Sequence, residues 1–138
     1  MKEYIEIEGV IRYDPPRVGM KKNTDFWCIL ELPHELVKYY QYFVKTDLHI
    51  PLADPSWGAH VSIVRGETPP KPELWKKYDG KRVKIRYYPY IHVKKDPKKA
   101  GLYCFIDFEV PFFRKIRAEL GLQSKYTFHF TIGRTHYD

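Results

Sequence analysis

A six-residue pattern occurs twice in this chain and restricts its fold more than any other feature. His60–Arg65 and His129–Arg134 both read His-x-(Ser/Thr)-Ile-x-Arg. Because side chains alternate between the two faces of a strand, the histidine and the hydroxyl residue of each copy share one face. Val61 and Phe130, which lie between them, are apolar and fall on the other face. Each copy therefore predicts a strand with an apolar back and a polar front.

Other short segments recur in the same order around the two motifs. Ile11-Arg12-Tyr13 is repeated as Ile85-Arg86-Tyr87, and Glu31-Leu32-Pro33 is matched by Glu109-Val110-Pro111. Such a repeat predicts a single domain over residues 1–138, built from two similar halves at about 1–68 and 69–138. The length also fits one hydrophobic core.

Residue periodicity predicts strands and one main helix in each half. The predicted strands cover residues 4–13, 26–32, 59–65, 81–94 (interrupted at Pro89), 102–110 and 126–134. A helix is expected after Pro33 and another after Pro111, and Gly121 ends the second one. We expect an α+β domain in which two antiparallel-rich sheets form a concave cleft, with the helices outside.

The composition favours a polyanionic partner. The net charge is +7, the pI is near 9.3 and aromatic residues make up 17% of the chain. Cys28 and Cys104 both lie in apolar runs, as expected for buried, reduced thiols of a cytoplasmic protein. The sequence shows neither a membrane-spanning apolar stretch nor a signal-peptide pattern. It also indicates no obligate protein partner.

Two histidines on one surface can cleave a phosphodiester. One imidazole deprotonates the attacking oxygen and the other protonates the leaving oxygen, because imidazole titrates near neutral pH. A hydroxyl two residues along the same face can donate to a phosphate oxygen and stabilise the transition state. The sequence lacks clusters at metal-ligand spacing and a glycine-rich phosphate loop. It therefore predicts a metal-free acid/base site without a cofactor.

The motif pair resembles that of the 2H phosphoesterases, a superfamily with two His-x-(Ser/Thr) motifs in a pseudo-two-fold, bilobed α+β fold. The strings 57–67 and 128–134 look most similar to small bacteriophage members, among them anti-CBASS enzymes that destroy cyclic oligonucleotide signals. The resemblance implies that His60 and His129 are the base and the acid. It also implies that Ser62 and Thr131 hold the phosphate.

The resemblance implies a viral phosphodiesterase that degrades cyclic oligonucleotide immune signals in the host cytoplasm. Two other readings stay open. One is a phosphodiesterase acting on RNA 2′,3′-cyclic phosphate ends or on 2′-5′ oligoadenylate. The other is a non-catalytic module that binds nucleotides or RNA.

Further side chains are candidates for substrate binding, each with an ordinary alternative. Arg12 and Arg86 either line the cleft or are solvated, while Tyr13, Tyr88 and Tyr90 stack on a base or pack normally. Trp57 either walls the site or packs over the edge of the core. On a regular strand Arg65 and Arg134 face away from the histidines, and Glu67 is an expected ion-pair partner of Arg65. A bulge could instead turn one of these arginines toward the phosphate.

Overall fold

The computed structural model describes residues 3–15, 26–54, 59–95, 101–123 and 127–135, and these form an α+β fold. The elements are β1 (Ile5–Tyr13), β2 (Trp27–Glu31), α1 (His34–Leu48), β3 (His60–Arg65), β4 (Arg82–Tyr87), β5 (His92–Lys95), β6 (Leu102–Phe108), α2 (Pro111–Glu119) and β7 (Phe128–Arg134). A short 3-10 helix spans Pro72–Leu74. The predicted α+β class and both predicted helices are confirmed.

The strands form one sheet, so the expectation of two sheets is wrong. Their order is β4-β1-β2-β3-β7-β6-β5, and each neighbouring pair is antiparallel. The two motif strands meet at its centre, where Val61 pairs with Phe130. Direct pairing of β3 with β7 joins the strands of the two halves into one continuous ladder.

The predicted strand over residues 81–94 is two strands at opposite edges of the sheet. β4 pairs with β1 and β5 pairs with β6, with only residues 88–91 between them. Pro89 lies in this connection, where its missing N–H interrupts no ladder. Because β4 is the neighbour of β1, the matching Ile-Arg-Tyr segments of these strands are not structural equivalents.

The short connection requires a strongly bent sheet. The chain from Tyr87 to His92 can span roughly 17 Å when fully extended. A flat sheet of seven strands is wider, at about 29 Å between its edge strands. In agreement, the ring of Tyr87 packs at 6.1 Å from Phe108 and at 5.4 Å from Phe130, although β4 is at the far edge from β6.

Both helices cover the same face of the sheet. Val37 and Tyr40 of α1 and Phe113 and Ile116 of α2 belong to the core cluster that also contains Phe130. These apolar positions recur at helical spacing, which gives each helix one face to bury. α2 ends as predicted, since Gly121 follows it with φ of 80°. The polar face of the motif strands lies on the side of the sheet opposite these helices.

Candidate functional site

The polar residues of both motifs share one face of the two central strands. In β3 and β7 the apolar residues between them are buried, and the four polar ones are exposed or half-buried: His60, Ser62, His129 and Thr131. The antiparallel pairing of Val61 with Phe130 sets each histidine opposite the hydroxyl residue of the other motif. The two histidines are diagonal neighbours, at about 7–8 Å by ordinary sheet geometry.

A bulge in each motif strand brings its arginine to the same face. In β3 the register passes from Ser62 to Val64 on consecutive residues of β2, so Ile63 is the extra residue. Arg65 then lies opposite Trp27, whose indole reaches Ser62 on the polar face. The expected ion pair of Arg65 with Glu67 is not formed, because Glu67 pairs with Arg117.

β7 repeats this irregularity at the equivalent position. Its register passes from Thr131 to Gly133 on consecutive residues of β6, which makes Ile132 the extra residue. Arg134 therefore shares a face with Thr131, and its guanidinium lies 5.3 Å from the centre of the Tyr103 ring. Each bulge reverses the orientation that strict alternation predicts for its arginine.

The register also sets an acidic residue opposite each histidine. Glu31 pairs with His60 and Asp107 pairs with His129. The equivalent of Glu31 in the second half is thus Asp107, whereas the sequence repeat matches it with Glu109. Three residues separate Asp107 from Pro111, whereas one separates Glu31 from Pro33, and these two extra residues caused the mismatch.

Trp27 borders the site on the His60 side. Its ring meets the His60 imidazole edge to face at 5.4 Å, and its indole N–H donates to Ser62 Oγ at 3.3 Å. An indole nitrogen can only donate, so the Ser62 oxygen accepts and keeps its own proton for another acceptor. The hydroxyl proton of Ser62 is therefore not used in this hydrogen bond.

Asp107 and His92 border the site on the His129 side. Phe105 contacts the His129 ring at 5.5 Å and stacks on His92 at 5.1 Å. His92 Nε2 lies 3.0 Å from Asp107 Oδ1. His92 is thus linked through Asp107 to the strand position opposite His129.

The surroundings of His129 lower its pKa below the usual 6.5. Desolvation is the largest cause: solvent reaches the residue, yet the protein around the imidazole disfavours its charged form. The positive charges of Arg134 and Arg65 act in the same direction, and the carboxylate of Asp107 opposes them. The neutral form of His129 is therefore favoured near pH 7.

The predicted substrate-binding residues are scattered. Arg12 is exposed opposite Ile29, on the polar face but two strands from Ser62, or about 10 Å. Arg86 lies on the edge strand β4, with its guanidinium 4.9 Å from the centre of the Tyr4 ring. Tyr88 packs on that same ring at 6.1 Å. These last two surround Tyr4 away from the central strands.

Tyr13 is 7% exposed and packs on Trp75 in the core face, so its expected role in stacking on a base is wrong. The residue has the opposite strand parity to Arg12, and β1 is regular there, which fixes the side it faces. Trp57 lies outside the described residues.

Sequence reasoning missed several residues that border the motif histidines: Trp27, Glu31, His92, Phe105 and Asp107. For four of them the available signal was position, because Trp27 and Glu31 share one face of β2, and Phe105 and Asp107 share one face of β6. For the two arginines the signal was the two residues that separate the hydroxyl residue from the arginine. On a regular strand, a single intervening residue places both side chains on the same face.

In the part of the chain that the structure describes, no three or more His, Cys, Asp or Glu side chains are placed to hold a metal ion. Nor is any described helix long and apolar enough to cross a membrane.

Comparison with protein-family models, with curated proteins and with solved structures finds no match for this chain.

Proposed function

We propose that this protein is a metal-independent phosphodiesterase that cleaves nucleotide phosphodiester bonds by two-histidine acid/base catalysis. The observation that supports the proposal best is the shared face of β3 and β7, on which two imidazoles, two hydroxyls and two arginines are brought together. Such groups can take up a proton, deliver one and stabilise a phosphate in its transition state. The substrate would lie on the polar face of β3 and β7, on the side of the sheet opposite the helices.

His129 is the better candidate for the general base, because its lowered pKa keeps it neutral near pH 7. It removes the proton from a ribose 2′-hydroxyl, whose oxygen attacks the adjacent phosphorus. As the bond from phosphorus to the leaving oxygen breaks, His60 donates a proton to that oxygen. The products are a 2′,3′-cyclic phosphate and a free hydroxyl. Water can then open the cyclic phosphate, with the histidines exchanging roles.

The hydroxyls and arginines compensate the charge on phosphorus. Ser62 has its proton available because its oxygen accepts from Trp27, and Thr131 is the equivalent donor on β7. Arg65 and Arg134 lie beyond the hydroxyls at opposite ends of the two strands. Charge-assisted hydrogen bonds from guanidinium groups to phosphate oxygens are among the stronger polar contacts in proteins.

The proposed substrate class is a cyclic di- or trinucleotide, consistent with a viral enzyme that degrades immune signals. A net charge of +7 favours such polyanions. The equivalent groups on β3 and β7 also suit a ligand made of repeated nucleotide units. A panel assay by mass spectrometry tests this class against 2′,3′-cyclic mononucleotides and 2′-5′ oligoadenylate. Preferred cleavage of either of these would reassign the substrate.

Substitution of the histidines tests the chemistry itself. His60→Ala and His129→Ala should each lower kcat by about 10²–10⁴-fold, because general acid or base catalysis is lost, and leave nucleotide binding largely intact. His49→Asn is the matched control. His49 has a φ of 58° at the end of α1, which asparagine tolerates. Wild-type binding without turnover of any panel member would favour the non-catalytic binding module.

The route through the 2′-oxygen has its own test. A substrate methylated on that oxygen should bind but remain uncleaved, because its nucleophile is blocked. EDTA should leave the rate with the unmodified substrate unchanged. Rapid cleavage of the methylated compound would exclude this route, and loss of activity in EDTA would exclude metal independence.

A further inference from the structure

Each of the two bulges leaves one backbone carbonyl outside the hydrogen-bond ladder of the sheet. A helix side chain donates a hydrogen bond to each of these carbonyls. Arg117 Nη1 donates to the oxygen of Ile63 at 2.9 Å, and Gln41 Nε2 donates to the oxygen of Ile132 at 2.9 Å. Ile63 and Ile132 are the extra residues of β3 and β7. Since a bulged residue is left out of the ladder, its polar groups need partners from elsewhere.

The supports cross between the two halves of the chain. Gln41 belongs to α1, in the first half, and binds β7 of the second. Arg117 belongs to α2, in the second half, and binds β3 of the first. The helix of each half is thus hydrogen-bonded to the motif strand of the other half.

Each donor is itself fixed by a carboxylate. Gln41 Nε2 also donates to Asp54 Oδ1 at 3.0 Å, and the same oxygen accepts from Lys38 at 2.7 Å. Arg117 binds both oxygens of Glu67 at 2.7 Å. Neither donor is therefore a loosely placed surface side chain, and each has a defined direction toward its bulge.

We infer that Gln41 and Arg117 are positioning residues, which hold the bulges that turn Arg134 and Arg65 toward the motif histidines. This inference deepens the proposed function and rests on it for its catalytic consequence. Neither residue lies on the polar face, so neither touches the substrate. Their effect is exerted through the strand backbone, on where the two guanidiniums lie.

Gln41 offers the cleaner test because it is less buried than Arg117. Gln41→Met removes the donor and keeps an unbranched side chain of similar length. It should lower kcat/KM by the same factor as Arg134→Met, within about twofold. In the Arg134→Met background, Gln41→Met should change kcat/KM by less than about twofold, because the group it positions is already gone.

Lys38→Met is the matched control. Like Gln41, Lys38 lies on α1 and binds Asp54 Oδ1, but it makes no bond to β7. This variant should keep wild-type kcat/KM. Gln41→Arg, unlike Gln41→Met, should retain activity, because it supplies the type of donor that Arg117 supplies in the other half. If Gln41→Met does not fold, Gln41→Glu keeps the shape without the donor and replaces it in the cycle.

A second readout does not depend on turnover. NMR titration of the His129 imidazole reports the guanidinium of Arg134, one of the charges acting on it. The other titratable or charged groups facing His129 are His60 and Arg65 on β3 and Asp107 on β6, which binds His92 of β5. Gln41→Met and Arg134→Met should both raise the pKa of His129, and Lys38→Met should not.

The outcomes separate the two proposals. An unchanged His129 titration in Gln41→Met, or additive losses in the double variant, would overturn the positioning role. Titration shifts as expected, in a protein that cleaves nothing on the panel, would leave positioning intact and remove the proposed function.

Discussion

At the scale of single residues, His129 is controlled by opposing charges on three neighbouring strands. Arg134 on its own strand and Arg65 on β3 lower its pKa, while Asp107 on β6 raises it. Burial lowers it further and is the largest effect. A general base needs to be neutral at the working pH, and this combination keeps His129 neutral over a wider pH range than a free imidazole.

The pH dependence of activity should reflect this balance. The acidic limb of kcat/KM should have its midpoint below 6.5, because His129 stays unprotonated to lower pH than a free imidazole. Asp107→Asn removes the charge that raises the pKa, so the midpoint should move lower still. Asp47→Asn, an equal change on an exposed residue of α1, should leave it in place. An upward shift in Asp107→Asn would contradict this account.

The same group makes the stability of the fold depend on pH. As the pH falls below 6.5, the unfolded chain binds a proton at this histidine before the folded chain does. The contribution of His129 to stability is therefore fully present above pH 6.5. It is lost as the pH falls through the lower pKa of the folded state. Chemical denaturation of wild type and His129→Gln at several pH values should show a difference in stability that changes with pH only in this range.

At the scale of elements, the bulge and its supporting helix form one unit that occurs twice. The β3 copy is backed by Arg117, which is 9% exposed and bound to Glu67, to the oxygen of Ile63 and to that of Gln123. The hydrogen bonds from Arg117 to the Glu67 carboxylate lower the pKa of Glu67. A charge so nearly buried is tolerated because its donors are satisfied.

Removal of the Glu67 charge should therefore destabilise the fold. Glu67→Gln should lower the free energy of unfolding by about 1–3 kcal/mol near pH 7, allowing for solvent screening at the half-exposed carboxylate. Glu109→Gln breaks a similar two-bond pair with Arg114 on the surface of α2 and should cost much less. Urea denaturation measures both. Equal losses in the two variants would show that burial of Arg117 is not the cause.

At the scale of the whole molecule, one continuous sheet joins the two halves. β3 and β7 pair at its centre, and β2 and β6 flank them in equivalent positions. Cys28 and Cys104 occupy matching places at the two bulges, opposite Val64 and Gly133. Gly133 permits close packing there, since an added Cβ would lie 2.4 Å from the oxygen of Ala53.

The two cysteines should be inert in the folded protein. Both are fully buried, and desolvation raises the pKa of Cys28 to about 12. They lie three strands apart, or about 14 Å, which is too far for a disulfide. A thiol reagent should modify neither in native protein and both after denaturation. Fast modification of either thiol in the native state would contradict this placement.

Much of the element structure could be predicted from the sequence because it depends on local periodicity. The alternation in Ile5–Tyr13 and in the motif strands, and the proline and glycine that bracket α2, give elements within a few residues of those observed. The strand over residues 81–94 was the exception. Its pattern was correct on both sides of Pro89, but the pattern contains no information on which partner each side pairs with.

The motif repeat by itself determined that His60, Ser62, His129 and Thr131 would lie on polar faces of two strands, because a strand has a fixed period of two. Only the tertiary structure decided that these faces adjoin, that one sheet rather than two forms, and that Arg65 and Arg134 share the face of the histidines. Those outcomes depend on strand partners and on bulges supported by Gln41 and Arg117. Such contacts join residues far apart in the chain, and no local pattern specifies them.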